Sequence, residues 1–136
     1  MTFRFSERSL SKLDGVHEDL VKVVKRALEL SEIDFAVTEG LRTKKRQEEL
    51  VKAGASKTMR SRHLTGHAVD LAAVVGSEIR WDWPLYQKIA EAVKKAAKEL
   101  NVPIEWGGDW KTFKDGPHFQ LTWEKYPWVL TQLALQ

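Results

Sequence analysis

The sequence predicts an α+β domain in which helices pack on one side of a small, mostly antiparallel sheet. Helical and strand-like segments are mixed without strict alternation, and the last two strand-like segments follow each other across a loop with no helix between them. The 136 residues contain no internal repeat and no low-complexity linker, and one domain typically has about 100–200 residues. We therefore expect a single domain over residues 1–136.

Three segments have the spacing of apolar residues that is typical of helices buried on one face. The first is predicted over residues 14–30. The second, over residues 44–53, is polar with a thin apolar seam and ends at a glycine. The third is the longest: Asp82 is its expected N-cap, Pro84 stands in its first turn, and its apolar face continues to Leu100.

Five short strands are predicted between and after these helices, over residues 35–38, 68–75, 77–81, 104–106 and 118–123. The second strand is apolar throughout except for Asp70, which indicates a buried strand. Residues 55–66 have the Ser, Thr and Gly content of a loop. The apolar tail from Pro127 onward is expected to pack against the domain.

The composition excludes several classes of site. The chain has no cysteine, so it has no disulfide, no thiolate metal site and no cysteine nucleophile, and a metal would be held by His, Asp or Glu. The first residues, MTFRFSERSLSKLDG, lack the apolar core of a signal peptide. The longest uncharged stretch, residues 126–136, is shorter than the about 20 residues that span a bilayer. We expect synthesis in the cytoplasm and no stable association with a membrane.

The net charge of +3 is unevenly distributed. Residues 42–62 include eight basic and two acidic side chains and carry a net charge of +6, which leaves −3 on the rest of the chain. Such a segment favours an acidic substrate or a polyanionic partner, and a solubilising surface is an equally weighted alternative. A nucleic-acid-binding protein is therefore one hypothesis, although the segment lacks the interleaved aromatic residues and the helix-turn-helix pattern of that class.

Three of the four histidines cluster with carboxylates in two short segments, residues 61–70 and 115–121. Asp70 is the unusual residue, because an acidic side chain within an apolar strand is desolvated and needs a partner. A divalent cation is one such partner, since zinc accepts imidazole nitrogen and carboxylate oxygen together. An arginine is the other, with the histidines scattered on the surface, and the spacing leaves both interpretations open.

With zinc as the partner, His63, Asp70 and His118 supply three ligands. Three protein ligands leave the fourth position of zinc for water, which is the arrangement of catalytic sites. Asp115, three residues before His118, is placed to serve as a general base beside the metal. This interpretation predicts a catalytic rather than a structural metal site.

Four short motifs occur along residues 39–121: Glu39-Gly40-Leu41-Arg42-Thr43 with Gln47, Ser61-x-His63-x-x-Gly66-x-Ala68-x-Asp70, Trp106-Gly107-Gly108-Asp109-Trp110, and Asp115-x-x-His118. In content and order they resemble the D-alanyl-D-alanine carboxypeptidase and dipeptidase superfamily. Its members are zinc peptidases of bacterial cell-wall peptides, related in fold to the lysostaphin and hedgehog domains. Within it, the chain is most similar to the small phage endolysins that are L-alanyl-D-glutamate peptidases.

The resemblance implies one zinc ion per chain, held by His63, Asp70 and His118. It also implies that Asp115 is the catalytic acid and base. Arg42 matches an arginine that in relatives binds the substrate or stabilises the oxyanion.

Further positions follow from the same resemblance. Ser61 and Gln47 match positions near the substrate. Asp109 is expected to orient a ligand histidine. His67 falls at a variable position of the motif and is not expected to bind the metal.

The resemblance implies an endolysin, a zinc endopeptidase that hydrolyses the L-Ala–D-Glu bond of peptidoglycan stem peptides. The chain is then expected to be a monomeric catalytic domain without a cell-wall-binding module, made in the host cytoplasm and reaching the wall after holin-type release. Its expected partner is peptidoglycan and not a nucleic acid. The alternatives are a D,D- or L,D-carboxypeptidase or a D-Ala-D-Ala dipeptidase on the same scaffold, and the basic nucleic-acid-binding protein.

Overall fold

The computed structural model describes residues 3–56 and 58–127. The α-helices within these residues are α1 (Glu7–Lys12), α2 (Glu18–Leu30), α3 (Lys44–Lys52) and α4 (Trp83–Leu100). The strands are β1 (Asp34–Glu39), β2 (Ala68–Val75), β3 (Glu78–Arg80), β4 (Ile104–Trp106) and β5 (His118–Leu121). Two short 3-10 helices cover Arg62–Thr65 and Gly107–Asp109. The predicted packing of the tail concerns residues that, after Pro127, lie outside the described part of the chain.

These strands form one antiparallel sheet in the order β1-β2-β5-β4, with β3 also paired to β2. The first residues of β2 pair with β5, and its last residues pair with β3. A sheet of this kind with helices packed on it confirms the predicted α+β class. None of the helices in the described residues has the length and apolarity to cross a bilayer.

The core lies between α2, α4 and one face of the sheet. The helices contribute a set of completely buried side chains, Leu20, Val23, Val24, Ala27, Ile89, Val93 and Ala96. The sheet contributes side chains at alternating positions, Phe35, Val37, Val69, Leu71, Phe119 and Leu121. Because burial of each large aliphatic or aromatic side chain stabilises the fold by about 1.5–3 kcal/mol, this face holds the strands in register.

The opposite face of the sheet carries the polar residues, because side chains alternate between the two faces of a strand. On β2, Asp70 lies between two core residues. On β5, His118 and Gln120 alternate with core residues. On β4, Glu105 precedes the buried Trp106. The packing of the core therefore fixes the face on which the polar cluster lies.

The prediction of one first helix over residues 14–30 is wrong, because this region contains the break between α1 and α2. Gly15, with a φ of +82°, leaves the helical path. The His17 side chain then caps α2 by accepting a hydrogen bond from the backbone N–H of Asp19 at 3.1 Å. The backbone N–H of His17 donates to the carbonyl oxygen of Gly66 at 2.8 Å, so the break also joins α2 to the segment that carries the first histidine motif.

The loop predicted over residues 55–66 contains the 3-10 helix Arg62–Thr65. The Ser61 hydroxyl caps this helix by accepting a hydrogen bond from the backbone N–H of His63 at 3.2 Å, and Gly66, with a φ of +74°, ends it. The last strand ends at Leu121 rather than at residue 123, because the chain turns immediately after it.

Asp82 stands at the predicted N-cap position of α4 but makes no side-chain cap hydrogen bond. Its carboxylate pairs instead with Arg80. The other predicted boundaries of helices and strands agree with the structure to within one or two residues.

Candidate active site

Three side chains with metal-binding atoms converge on the polar face of the sheet. The pairing of β2 with β5 places Asp70 directly opposite His118, and the 3-10 helix brings His63 beside them. Asp70 Oδ1 is 3.2 Å from His63 Nε2 and 3.4 Å from His118 Nδ1. The three ligand atoms all lie within 4.8 Å of one another. The structure thus brings together the three residues that the sequence predicts as ligands.

In both His63 and His118, the outer ring nitrogen, which is the one that does not face Asp70, has its own hydrogen-bond partner. His63 Nδ1 donates to the carbonyl oxygen of Gly40 at 2.8 Å, and His118 Nε2 lies 2.7 Å from Gln120 Oε1. A carbonyl oxygen can only accept, so each of these outer nitrogens carries a proton. The inner nitrogens are then free to offer a lone pair to a metal, as is usual for metal-binding histidines.

The electrostatics of the cluster favour a bound positive charge. Burial alone would raise the pKa of Asp70, but the charges of His63 and His118 and their hydrogen bonds hold it well below its usual range. Burial alone would lower the pKa of His118, but its hydrogen bond to Asp70 and the Asp70 charge raise it. Two imidazoles and a carboxylate whose electrostatics favour a bound cation fit zinc, because zinc takes nitrogen and oxygen ligands in a tetrahedral site.

Gly40 supports the cluster because it has no side chain. A Cβ atom at this position would lie 2.0 Å from the backbone oxygen of Lys12. The close approach lets the Gly40 carbonyl reach His63, and the backbone N–H of Arg42 returns a hydrogen bond to the His63 carbonyl at 2.9 Å. The first motif of the sequence therefore holds one of the ligands in place.

Asp115 lies beside the ligands, held by backbone contacts. Its N–H donates to the oxygen of Gly107 at 3.0 Å, and its own carbonyl accepts from the N–H of His118 at 3.2 Å. Burial and the charge of Asp70 raise the pKa of Asp115, and the nearby histidines and Arg42 oppose this shift. A carboxylate with a raised pKa is a stronger proton acceptor, which suits a general base.

Arg42 is held by two acceptors on its guanidinium. Nε donates to Glu39, and Nη1 donates to Gln47 Oε1 at 2.6 Å. Within residues 3–56 and 58–127, Nη2 forms no hydrogen bond. Arg42 lines the same groove as Asp115. A positively charged guanidinium, whose Nη2 can still donate hydrogen bonds, therefore lies in the groove beside Asp115.

Gln47 does not line the groove, although the sequence predicts it near the substrate. It is completely buried, and its Nε2 donates to Ser56 Oγ at 2.8 Å and to the Thr58 carbonyl at 2.5 Å. Because its Oε1 accepts a hydrogen bond from Arg42, the Gln47 side chain joins this arginine to the groove wall. Its burial makes Gln47 a support for Arg42 rather than a surface for substrate.

The cluster lies in a groove with a volume of about 480 Å³. Its walls include Ser61, Arg60, Trp110, Phe113 and Trp123. The Trp110 ring centroid is 5.2 Å from that of His118. Trp110 and Trp123 line the groove, whereas Trp106 is a core residue.

Arg62 supports the groove wall from within. Its side chain is completely buried, and its guanidinium carbon lies 4.3 Å from the centroid of the Trp123 ring. Nη2 donates to three backbone oxygens, those of Leu121, Thr122 and Tyr126. Arg62, the neighbour of His63 in the chain, therefore ties the turn after β5 to the groove wall.

Asp109 does not orient a ligand histidine. It is the exposed last residue of the short helix Gly107–Asp109, and its carboxylate pairs with Lys94 Nζ at 2.7 Å on the surface. Gln120 has the expected orienting position instead. This position was not predicted from the sequence, although Gln120 follows His118 by two residues on one strand, which puts both side chains on the same face.

His67 is not one of the three clustered side chains. The ring is buried, and Nδ1 lies 2.6 Å from Thr65 Oγ1. Burial, aided by the charges of Arg62 and His17, lowers its pKa to about 4. This histidine therefore stays neutral at physiological pH.

Comparisons with known proteins identify the family of the chain. Residues 1–122 match the family described as phage L-alanyl-D-glutamate peptidase. The chain belongs to this family. It is 36% identical over 129 residues to the L-alanyl-D-glutamate peptidase of Listeria phage A118, covering 93% of this chain and 45% of that protein. It is 34% identical over 119 residues to the L-alanyl-D-glutamate peptidase of Escherichia phage T5, covering 85% of this chain and 87% of that protein. The chain thus spans less than half the length of the Listeria phage relative.

Two solved structures share the fold of this family member. The L-Ala D-Glu endopeptidase ChiX of Serratia marcescens superposes with a TM-score of 0.89 at 54% identity, over 93% of this chain and 96% of ChiX. The vancomycin-resistance D,D-dipeptidase VanXYg superposes with a TM-score of 0.52 at 18% identity, over 88% of this chain and 58% of that protein. The second likeness shows a common fold alone.

Proposed function

We propose that the chain is a zinc endopeptidase of the endolysin type, which hydrolyses the L-Ala–D-Glu bond of peptidoglycan stem peptides. The observation that supports this most is the position of Asp115 beside three converging metal-binding side chains in a groove. Membership of the phage L-alanyl-D-glutamate peptidase family supports the same bond. One zinc ion per chain is the proposed cofactor, with His63, Asp70 and His118 as its ligands.

Each residue of the site has a proposed part in hydrolysis. A bound divalent ion acidifies water and polarises a carbonyl group. Asp115 accepts the proton of the attacking water on its carboxylate and returns it to the leaving amine. Arg42 donates from its guanidinium to the oxygen that gains negative charge, and Ser61 contacts the peptide at the groove wall.

The basic segment of the sequence is better explained by this site than by nucleic-acid binding. Arg62 is completely buried and Arg42 nearly so, which takes two of the segment's cations from the outer surface. Both line the groove together with the exposed Arg60. Stem peptides are acidic, so a groove with these cations suits the proposed substrate.

The cellular setting and assembly remain part of the proposal. We propose a monomeric catalytic domain, made in the host cytoplasm, that reaches peptidoglycan after holin-type release. Light scattering on the purified protein tests the monomer. Lysis from within, with and without a co-expressed holin, tests the release step.

Digestion of purified Gram-negative peptidoglycan tests the proposed bond. Mass spectrometry of the released fragments should find new amino termini on glutamate, with L-Ala left on the muramyl group. Asp115→Asn is the matched control for contaminating peptidases. Release of free D-Ala without new glutamate amino termini would identify a carboxypeptidase instead, and release of nothing by zinc-loaded protein would indicate a binding domain.

A further inference from the structure

Two polar residues that the mechanism does not use extend from His118 across the sheet. Gln120 lies two residues after His118 on β5, and Glu105 lies opposite Gln120 on β4. Gln120 Oε1 is 2.7 Å from His118 Nε2, and Gln120 Nε2 donates to Glu105 Oε2 at 2.8 Å. Gln120 is buried, and both residues line the groove. Asp70, His118, Gln120 and Glu105 therefore form one continuous line of contacts.

The direction of each hydrogen bond in this line follows from the carboxylate at its end. An ionised Glu105 can only accept, so the amide nitrogen of Gln120 must face it. The amide oxygen then faces His118, and it too can only accept. His118 Nε2 must therefore carry the proton, and Nδ1, which faces Asp70, is left to bind the metal.

Rotation of the Gln120 amide by half a turn would reverse this arrangement. Its nitrogen would then oppose the N–H that a metal-bound His118 carries on Nε2, which places two donors against each other. Its oxygen would meet the carboxylate of Glu105, which places two acceptors against each other. Glu105 thus prevents the rotation that is unfavourable for a metal-bound histidine.

We propose that Glu105 and Gln120 are positioning residues that lock His118 in its metal-binding form and so set the affinity of the site for zinc. The proposal rests on the metal site of the proposed function. Hydrogen-bond partners of metal-binding histidines typically contribute about 10–100-fold to metal affinity. Here the carboxylate acts on the histidine through an intervening glutamine.

The test measures zinc affinity by competition with a chromophoric chelator, without reference to peptidase activity. Gln120→Leu removes both hydrogen bonds, and Glu105→Gln keeps the size of the side chain but removes the directional constraint. We expect zinc affinity to fall about 10-fold or more in each variant. Glu91→Gln, the same substitution at an exposed position of α4, is the control and should stay within about twofold of wild type.

A double-mutant cycle separates the lock from simple charge. If Glu105 acts through Gln120, Glu105→Gln has no further effect in the Gln120→Leu background. If its charge acts directly on the metal, the two losses multiply and the lock is refuted. In zinc-loaded wild type, nuclear magnetic resonance should also find a slowly exchanging His118 Nε2–H, which exchanges rapidly in Gln120→Leu.

The outcomes distinguish the lock from the proposed function. Equal zinc affinity in all variants, with wild type binding zinc and cleaving peptidoglycan, would overturn the lock alone. Wild-type protein that binds no zinc would overturn the metal site and the lock together. Glu105 is only half-buried, so Glu105→Gln keeps the lock falsifiable even if Gln120→Leu does not fold: unchanged zinc affinity in this variant would overturn the lock.

Discussion

Acid should destabilise the metal-free protein through His67, and replacement of His67 by Gln should remove that part of the effect. The buried imidazole has a pKa of about 4 in the folded chain, against about 6.5 in an unfolded one. Above the higher value the ring is neutral in both states and costs nothing. As the pH falls below it, the unfolded chain binds a proton that the folded chain does not, so folding becomes less favourable.

The size of the effect follows from the two pKa values. Their difference corresponds to a loss of about 3 kcal/mol in the free energy of unfolding once the pH is below about 4. At about pH 5.5 the loss is about 1.4 kcal/mol, because the unfolded ring is then mostly protonated and the folded ring is not. These are upper values for a ring that gains no new partner when it is protonated.

Urea unfolding in the presence of a chelator measures this directly. Wild type and His67→Gln are compared at several pH values from neutral to about 4.5. Carboxylates and the ligand histidines titrate in both proteins, so their contributions cancel in the difference. As the pH falls, we expect the free energy of unfolding to decrease more for wild type than for His67→Gln, so that the two values converge. Parallel curves would refute the assignment of a low pKa to His67.

Asp115→Asn should keep its zinc but lose about 100-fold or more in turnover, because the amide cannot accept a proton; elemental analysis and a peptide-release assay measure both. Asp70→Ala should lose the metal, whereas His67→Gln should keep about one equivalent, as measured by the same analysis. Arg42→Lys should lower kcat/KM at least about tenfold with the fold intact, because lysine lacks the planar fork. Gln47→Leu should lower kcat in the wild-type background and have no further effect beside Arg42→Lys, which a kinetic double-mutant cycle measures.

Each of these predictions has a contradicting result. Near-normal turnover in Asp115→Asn would move the general base to another carboxylate, and zinc retained by Asp70→Ala would remove Asp70 from the ligand set. Unchanged kinetics in Arg42→Lys would assign that arginine to structure alone. Additive losses for Gln47→Leu and Arg42→Lys would show that Gln47 acts independently of the arginine.

The convergence of His63, Asp70 and His118 was predictable because its signal in the sequence is local. Asp70 stands out as the one charged residue in an apolar strand, and the two histidine motifs flank it in the order of a known family. The core faces of α2 and α4 were predictable for the same reason, since apolar spacing reports directly on burial. The break at Gly15 was missed because the apolar pattern continues across it.

The supporting residues were not predictable in this way, because their roles depend on pairing between distant segments. Glu105 becomes a partner of Gln120 only through the register of β4 on β5, and register is not visible in a single strand. In the sequence, Gln47 is one polar residue on a polar helix. Its role as a hydrogen-bond partner of Arg42 becomes visible only when the fold places α3 against Arg42. Asp109 lies within one of the sequence motifs, yet the short helix that it ends places its carboxylate against Lys94.

Asp70 and His118 lie on strands, whereas much of the groove wall is formed by loops. This separation affects how the members of the family can evolve. Asp70 and His118 are fixed by backbone pairing between strands, whereas other described residues of the groove wall lie in loops and are not among the three clustered side chains, namely Ala55, Ser56, Thr58, Arg60, Ser61, Trp110 and Phe113. Exchange of these loops between family members can therefore change which peptide is accepted while the chemical centre is inherited intact. A library randomised in the loops should retain metal binding in most members, and one randomised on the polar face of the sheet should lose it in most.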